Sequence, residues 1–300
     1  MEWPSIFQQN VQGAFPDGRA WLKSLPELLR ECENRWKITL GPPYELSFNY
    51  VASAIDAHGD SVVLKVGVPS PELTSEIEAL RFYDGDGAVR LLDFDTKKGV
   101  LLMERLIPGH SLSTRLDTTD DEQATRIAAR AMRRLWRPLS AHHTFSTVEQ
   151  WAAGLTKLRL RFAGGTGPFP KRLVELAERL FQELLSSAST TVLLHGDLHH
   201  MNILMSRDAW TAIDPKGVAG EPSYEVCALM LNPNPRLSTD IQIQRRRLAV
   251  LTEELGLDSQ RMLGYTIAHA VLSAWWGFED SATDWRVALA CASTLERLYR

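Results

Sequence analysis

The stretch Leu193–Ser206, LLHGDLHHMNILMS, places three histidines, an aspartate and an asparagine between two apolar runs. His195, Asp197 and Asn202 follow the spacing H-x-D-x-x-x-x-N. In kinase-type phosphoryl transfer this spacing supplies a carboxylate that accepts the proton of a substrate hydroxyl and an amide that holds magnesium. A second magnesium-binding carboxylate should follow a short hairpin, and ILMSRDAWTAID supplies one ending at Asp214. The stretch therefore predicts a catalytic loop for phosphoryl transfer.

A metal cage is the main alternative for the same residues. Alternate residues of an extended segment point the same way, so His195, Asp197 and His199 could converge on one ion. A hydrolytic metal site would need more ligands from other loops, and the remaining histidines of the chain show no ligand spacing. We therefore favour phosphoryl transfer, and we expect His199 and His200 to shape the loop rather than to react.

A lysine in an apolar strand of the first third of the chain fits the same chemistry. Phosphoryl transfer needs a lysine that reaches the nucleotide phosphates and a helix glutamate that steadies it. Lys65 in VVLKVG and Glu76 in the following helical segment suit these roles. Lysines are otherwise rare in buried strands, because a buried ammonium group needs a partner. The order of these elements along the chain is a stronger signal than any one of them.

The first third is predicted to consist of strands around one helix. Two hairpins and the helix between them are indicated by β-prone runs, turn residues and helix start and stop signals. The hairpins comprise residues 45–55 with 61–68 and residues 88–95 with 99–107, and the helix comprises residues 70–85. After Pro108 and Gly109 the pattern becomes helical, with one β-like island at residues 190–217.

These patterns predict an α+β fold with a small β-rich lobe at residues 1–106 and a larger, mainly helical lobe at residues 107–300. Two lobes joined by one short connection make a cleft, where ligands commonly bind. The basic clusters RAMRRLWR (residues 130–137) and Arg245 to Arg247 are predicted to be solvated helix faces.

Composition excludes several classes of protein. A net charge of −4 and a pI near 6.1 argue against a nucleic-acid partner. Three scattered cysteines favour a reducing compartment without structural zinc. No signal peptide is visible, and the most apolar late run, residues 266–278, is too short to cross a bilayer. We expect a cytoplasmic protein without a membrane partner, and the sequence carries no signal for an oligomeric state.

Four segments together resemble a known family. HGDLHHMNIL and IDPKGVAGEPSYE, preceded by GAVRLLDFD and LLMERLIPG, are similar to the aminoglycoside/hydroxyurea antibiotic-resistance kinases, the group that contains streptomycin 6-kinases. The resemblance runs from about Val62 to the end of the chain. HGDxHxxN is shared by all aminoglycoside-phosphotransferase-like enzymes, whereas IDPKGxxGEPxYE and GAVRLL are narrower. The resemblance implies a protein-kinase-like two-lobed fold and phosphorylation of a small hydroxyl compound with ATP and Mg2+.

The resemblance also implies roles for individual residues. Asp197 would be the base, and Asn202 and Asp214 would bind magnesium. The nucleotide would be anchored by the pair Lys65 and Glu76 and contacted at its adenine by a hinge from Glu104 to Leu106.

The chain departs from protein kinases in two places. Residues 44–56 contain no glycine, although protein kinases carry a Gly-rich loop over the phosphates. Pro215 follows Asp214, and the stretch to Glu225 is too short for a phosphorylatable activation loop. We therefore expect a small-molecule kinase rather than a regulated protein kinase.

Several other residues have two interpretations. Lys216 could balance charge on the transferred phosphoryl group, or it could be a surface turn lysine. Glu221 and Glu225 could bind a cationic substrate or cap a helix. Trp275 and Trp276 could be core, or Trp276 could form an aromatic wall for a sugar ring.

Three acids late in the chain, Glu279, Asp280 and Asp284, could likewise attract a cationic substrate or only solvate helix ends.

Three functions follow from these observations. The first is an ATP- and magnesium-dependent kinase of an aminoglycoside such as streptomycin, a cationic small molecule. The second is a kinase of the same fold for a housekeeping metabolite, such as a sugar, an amino alcohol or a hydroxy amino acid. The third is a catalytically idle nucleotide-binding protein, which the set Asp197, Asn202 and Asp214 disfavours.

Overall fold

The computed structural model describes residues 3–116, 121–140, 142–280 and 285–299. The chain divides into two compact units, Met1–Gly109 and His110–Arg300. The sequence placed the corresponding boundary after residue 106.

The first unit contains three helices and five strands. In chain order they are α1 (Ser5–Ala14), α2 (Gly18–Trp36), β1 (Thr39–Pro43), β2 (Tyr50–Ile55), β3 (Ser61–Val66), α3 (Pro71–Tyr83), β4 (Leu91–Asp95) and β5 (Val100–Glu104). The strands form one antiparallel sheet in the order β1-β2-β3-β5-β4. Both predicted hairpins are present, as β2 with β3 and β4 with β5.

The prediction of a single helix in the first third was wrong, because α1 and α2 precede the sheet. Helix α2 buries Leu22, Leu25, Leu29 and Cys32, which recur at intervals of three and four residues and so form one apolar stripe. This stripe belongs to the same core cluster as buried side chains of β2 and β3. The helix continues through Pro26, a residue that ordinarily indicates a break.

Helix α3 lies where the sequence placed it, and its ends show why. The Ser70 hydroxyl accepts a hydrogen bond from the backbone N–H of Leu73, and Pro71 stands at the first helical position. The helix ends at Asp84, whose backbone is left-handed with φ 47°. One buried face of α3 carries Glu76.

The second unit is mainly helical. Strand β6 (Pro108–Ser111) contains the boundary between the units and is followed by a 3-10 turn, Leu112–Arg115. The remaining elements are α4 (Asp121–Leu135), β7 (Arg137–Pro138), β8 (Ser146–Thr147), α5 (Val148–Ala152), α6 (Gly154–Arg161), α7 (Lys171–Ser186), β9 (Val192–Leu194), β10 (Ile203–Ser206), β11 (Ala209–Ala212), β12 (Val218–Gly220), α8 (Val226–Leu231), α9 (Pro235–Thr239), α10 (Ile241–Leu255), α11 (Ser259–Glu279) and α12 (Trp285–Tyr299).

Helix α11 forms the centre of the second unit. It contains the apolar run at residues 266–278 and is buried on nearly all sides by α12, α7 and α8. A helix that is apolar all round is stable only when its whole circumference is covered. Within the described ranges, no helix has both the length and the apolar character needed to cross a bilayer.

The prediction that Arg245 to Arg247 form a solvated face was wrong for Arg247, whose side chain is 0% exposed. Its guanidinium donates to both oxygens of Asp121 at the start of α4, with a shortest N–O distance of 2.7 Å. It also donates to the backbone carbonyls of Leu229 and Asn232. A buried guanidinium needs such partners. Arg245 and Arg246, by contrast, are exposed as expected.

All three cysteines are free and buried. Cys32 lies in the first unit, and burial raises the pKa of its thiol to about 11. Cys227 and Cys291 lie in the second unit, where burial raises the pKa of both thiols, to about 12 for Cys291.

Candidate active site

Lys65 and Glu76 form a buried ion pair in the first unit. Lys65 lies on β3, the middle strand of the sheet, and Glu76 lies on α3. The Lys65 Nζ atom is 2.7 Å from Glu76 Oε1 and 2.9 Å from Oε2, and the two residues are 3% and 8% exposed. The pairing explains how a lysine is tolerated in a buried strand.

The residues predicted to contact adenine lie at and just after the end of β5. Glu104 donates its backbone N–H to the Arg90 carbonyl at 3.0 Å and accepts the Arg90 N–H with Oε1 at 2.9 Å. Leu106 is buried, whereas Arg105 between them is exposed. Glu104 therefore fixes the backbone of this segment against the start of β4.

The loop from His195 to Asn202 follows β9 and begins with a tight bend. Gly196 has φ 81°, and a β-carbon at this position would come within 2.9 Å of Trp151 and Val218 side chains. Only glycine combines that backbone conformation with the close packing. The bend turns the chain so that Asp197 lines a pocket of the second unit.

His195 is fully buried and its ring nitrogens are both engaged. Nε2 lies 2.8 Å from the Ile213 carbonyl, and Nδ1 accepts the backbone N–H of Asp197 at 3.2 Å. A carbonyl only accepts, so Nε2 carries the proton and the imidazole is neutral. Burial lowers the pKa of His195 to about 4. The structure thus places His195 behind Asp197, where it orients the loop.

Asn202 and Asp197 are joined through the loop. The Asn202 amide nitrogen donates to the Asp197 carbonyl at 2.9 Å and lies 3.5 Å from His199 Nε2. Both contacts are made by the amide nitrogen, Nδ2, and neither uses the amide oxygen, Oδ1. His199 Nε2 also lies 3.7 Å from Asp197 Oδ1, and burial lowers the pKa of His199. Both predicted loop-shaping histidines are buried.

Asp214 follows the hairpin of β10 and β11. Its backbone is left-handed, with φ 58°, a conformation that non-glycine residues adopt rarely and often at functional sites. The backbone N–H of the preceding residue, Ile213, donates to the Asn202 carbonyl at 3.0 Å. Asp214 is thereby held beside Asn202. The Lys216 N–H donates to the His195 carbonyl at 2.8 Å, which joins that lysine to the same loop.

Asn202 and Asp214 offer the hard oxygen ligands that magnesium prefers. The amide oxygen of Asn202 and the carboxylate of Asp214, which follows a residue hydrogen-bonded to the Asn202 backbone, have the chemistry that fits such an ion. The metal-cage alternative gains no support, because the described part of the chain contains no group of three or more His, Cys, Asp or Glu side chains placed to hold a metal.

Glu225 stabilises the start of the loop from His195 to Asn202 through its backbone. Its carboxylate accepts the backbone N–H of His195 at 2.7 Å and that of Gly196 at 3.0 Å, and the residue is 1% exposed. Burial raises the pKa of this carboxyl to about 7. The structure therefore places Glu225 under the loop and outside the pocket.

Glu221 has an internal partner. Its carboxylate accepts two hydrogen bonds from the Arg261 guanidinium, at 2.8 and 2.5 Å, and lies 3.3 Å from the Tyr265 hydroxyl. Glu279 and Asp280 are exposed at the end of α11 and do not line the pocket, and Asp284 lies outside the described residues.

The pocket beside Asp197 has a volume of about 340 Å³, within the range of small-molecule sites. Its polar and aromatic lining includes Asp197, Asn232, Ser238, His269, Trp276 and Trp285. Trp276 is the one proposed substrate-recognition residue that lines it, whereas Trp275 is buried in the core. His269 and Trp285 were not predicted from the sequence to lie at the site. A histidine within the apolar run of α11 was the available signal for His269.

Comparisons with known proteins identify the relatives of this chain. The family model for the aminoglycoside/hydroxyurea antibiotic resistance kinases matches residues 46–281. Streptomycin 6-kinase of Streptomyces glaucescens is 30% identical over 288 residues, which cover 94% of this chain and 92% of that protein. Hydroxyurea phosphotransferase of Kitasatospora aureofaciens is 31% identical over 272 residues, covering 88% of this chain and 76% of that protein.

Solved structures show the same fold at low identity. The complex of aminoglycoside phosphotransferase APH(4)-Ia with ADP and hygromycin B has a TM-score of 0.66 and 12% identity, covering 90% of this chain and 97% of that chain. Choline kinase LicA from Streptococcus pneumoniae has a TM-score of 0.65 and 14% identity, covering 91% and 99%. The fold is therefore the α+β, protein-kinase-like fold, as predicted.

Proposed function

Because the chain belongs to the aminoglycoside/hydroxyurea antibiotic resistance kinase family, we propose that it uses ATP and Mg2+ to phosphorylate a hydroxyl group of an aminoglycoside such as streptomycin. The general activity, transfer of a phosphoryl group to a hydroxyl of a small molecule, follows from membership of the family. The identities of the nucleotide, the metal and the acceptor are the proposal.

The observation that carries the proposal is the position of Asp197. This carboxylate lines a pocket of small-molecule size, and its side chain is 37% exposed. The backbone that carries it is fixed on both sides, because its N–H donates to His195 and its carbonyl accepts from Asn202. In our proposal Asp197 accepts the hydroxyl proton as the oxygen attacks the phosphoryl group. His195 holds the backbone of Asp197 in place and exchanges no proton with substrate.

Asn202 Oδ1 and the Asp214 carboxylate are the proposed magnesium ligands. Bound magnesium would neutralise charge on the nucleotide phosphates. The chain's own contribution is to tie the segments that carry the two residues together, through the hydrogen bond from the Ile213 N–H to the Asn202 carbonyl.

Lys65 is the proposed phosphate contact in the first unit, with Glu76 setting its position. Glu104 to Leu106 are the proposed adenine contact. Lys216, which is tied to the catalytic loop by its backbone, is proposed to balance charge on the transferred group.

A cationic acceptor is supported by the similarity to streptomycin 6-kinase. The polar lining of the pocket includes the Asp197 carboxylate, and Trp276 and Trp285 supply aromatic surface. Aromatic faces suit both sugar rings and cations. Glu221 is a weaker candidate for substrate recognition, because Arg261 already engages its carboxylate.

A second candidate function is a kinase for a neutral metabolite such as a sugar. One observation favours it: among the described residues, Asp197 is the only carboxylate that lines the pocket. A site that selects a polycation would be expected to present more negative charge.

The test is acceptor-dependent ADP release by the purified protein. ATP with Mg2+ would be offered with streptomycin, other aminoglycosides, neutral sugars and amino alcohols, and a matched reaction would contain EDTA. We expect turnover of at least one aminoglycoside in preference to every neutral compound, and none with EDTA. Preference for a neutral sugar would overturn the aminoglycoside assignment and establish the second candidate. Transfer at full rate in EDTA would overturn the magnesium assignment.

A further inference from the structure

His269 is a buried polar group of the pocket that the proposed chemistry does not use. It lies on α11, is 7% exposed, and lines the pocket together with Asp197. Its ring packs edge-on against Trp276 and Tyr224, with ring centroids 5.8 and 5.3 Å apart. Burial lowers the pKa of His269 to about 4, so the imidazole is neutral near pH 7.

The hydrogen bond between Tyr224 and His269 determines which ring nitrogen carries the proton. The Tyr224 hydroxyl lies 2.6 Å from His269 Nδ1 and is buried, and no other described residue hydrogen-bonds to it. If Nδ1 were the donor, the phenol hydrogen would be buried without an acceptor, which is costly. The hydroxyl must therefore donate to Nδ1. A neutral imidazole that accepts at Nδ1 carries its proton on Nε2.

Nε2–H is accessible from the pocket. No described residue hydrogen-bonds to this atom, yet it is not among the fully buried side-chain atoms that lack a partner. Since the residue itself lines the pocket, the atom's remaining exposure lies on that side. The pocket thus contains a carboxylate acceptor at Asp197 and a neutral donor at His269.

We propose that His269 is a specificity-determining residue whose Nε2–H donates a hydrogen bond to an oxygen of the acceptor molecule, a ring hydroxyl or ether close to the hydroxyl that Asp197 engages. The inference rests on the proposed function and adds the chemistry of one subsite. An ammonium or guanidinium group has only donors, so it gains nothing from a second donor. The part of the acceptor that faces His269 and Trp276 is therefore an oxygen-bearing, uncharged ring face, and the charged groups of an aminoglycoside point elsewhere.

The first experiment measures the proton position directly. Nitrogen-15 NMR of histidine-labelled protein distinguishes the two neutral tautomers, and a His269→Gln variant assigns the resonance. We expect the Nε2–H form in the native chain and a mixture of tautomers in Tyr224→Phe, which keeps the ring and removes the hydroxyl. A native His269 in the Nδ1–H form would overturn the inference.

The same spectra test binding without requiring turnover. Streptomycin and the uncharged cyclitol myo-inositol would each be titrated into labelled protein with ADP present. We expect at least one of them to shift the His269 Nε2–H resonance. Absence of a shift with both compounds overturns the inference, whatever their turnover. A shift with myo-inositol, together with no aminoglycoside phosphorylation, overturns the aminoglycoside assignment and leaves the role of His269 intact.

Kinetics separate a binding role from a structural one. For whichever compound of the acceptor panel is turned over, His269→Phe removes the donor and should raise KM for that acceptor about tenfold, with KM for ATP changed less than about twofold. His269→Gln keeps an N–H donor and should recover part of the loss. Gln260→Ala, at an exposed position on the first turn of the same helix and outside the pocket, is the control and should leave both constants unchanged. Equal changes in both KM values, or no recovery with glutamine, would contradict the proposal.

Discussion

Asp197 lies on a loop whose neighbouring polar groups are already engaged with one another, so a change of its carboxylate alone should leave the loop intact. We expect Asp197→Asn to reduce phosphoryl transfer by about 10²- to 10⁴-fold, because the amide cannot accept the hydroxyl proton. Nucleotide affinity should be nearly unchanged, since this side chain is not proposed to hold ATP. Single-turnover kinetics and calorimetry measure the two quantities. Near-full turnover in the variant would contradict the assignment of the base.

A substitution of Asp214, unlike one of Asp197, should lower the affinity for the nucleotide. Its left-handed backbone makes asparagine the matched replacement, because asparagine tolerates that conformation better than alanine does. Asp214→Asn should remove most of the magnesium-dependent part of ATP affinity and leave the affinity measured in EDTA unchanged. Calorimetric titrations with and without Mg2+ show the difference. Unchanged affinity for MgATP would mean that Asp214 is not the metal ligand.

At the level of single residues, the sequence indicated those site residues that lie close together in the chain. Asp197, Asn202 and Asp214 lie on one loop and one hairpin, so their spacing in the chain already determines their proximity. Glu221 and His269 depend on partners from distant segments, Arg261 and Tyr224. No spacing rule indicates such pairs. For this reason the Arg261 partner of Glu221 was not among the two interpretations given for that residue, and His269 was missed.

Among the elements, the junction between the catalytic loop and the start of α8 depends on Glu225. Burial raises the pKa of this carboxyl from 4.5 to about 7. Between these pH values the folded chain holds a proton that the unfolded chain has lost, so the free energy of unfolding falls as pH rises through this window. Above about pH 7, Glu225 no longer contributes any change in the free energy of unfolding with pH.

We expect this loss to be absent in Glu225→Gln, which does not titrate. The free energy of unfolding of the native chain, minus that of the variant, should therefore be smaller at pH 8 than at pH 5, by on the order of 3 kcal/mol at most. Urea denaturation at the two pH values measures it. A difference that stays constant or grows with pH would contradict the raised pKa.

Helices α4 and α10 are joined by the buried pair of Asp121 and Arg247. We expect Arg247→Met to lower the free energy of unfolding by about 3–5 kcal/mol, because it removes the buried guanidinium and, of the described cations, leaves the Asp121 carboxylate only the more exposed Arg246, 3.8 Å away. Arg245→Met, on an exposed turn of the same helix, is the matched control and should change it by less than about 0.5 kcal/mol. Denaturant titrations compare the two.

The double variant Asp121→Leu with Arg247→Met provides a second check. It removes both charges, so it should recover most of the loss seen in Arg247→Met. Equal stability of the single and double variants would show that packing rather than charge explains the effect.

The elements also show where sequence patterns fail. The hairpins of the first unit were predictable because alternation and turn residues are local signals. Arg247 was assigned to a solvated face because its neighbours Arg245 and Arg246 are exposed, and helical periodicity alone gives no information on a buried carboxylate from α4. Helix α2 was missed although its apolar stripe is regular, and Pro26 within it obscures the pattern.

For the whole molecule, the sequence motifs predicted the fold class and the family, and the comparisons confirm both. The resemblance was traced from about Val62, yet the family match begins at residue 46 and the streptomycin 6-kinase alignment covers 94% of the chain. The motifs are continuous stretches of sequence, whereas the pocket lining comes from the catalytic loop, α8, α9, α11 and α12 together. Only the folded second unit brings those side chains to one place.

Because its three cysteines are buried in both units, the protein can report its own unfolding through thiol labelling. Thiolates react with alkylating reagents, and burial together with a raised pKa suppresses the thiolate of each cysteine in the folded chain. Cys32 therefore reports opening of the first unit, and Cys227 with Cys291 reports opening of the second. We expect iodoacetamide to leave the native protein unmodified and, at rising urea, to label the sites at rates set by local opening, measured by peptide mass spectrometry. Rapid labelling of any of the three in native buffer would contradict this expectation. If Cys32 is labelled at lower urea than the other two, the two units open as separate cooperative blocks, and equal labelling would mean that they open as one.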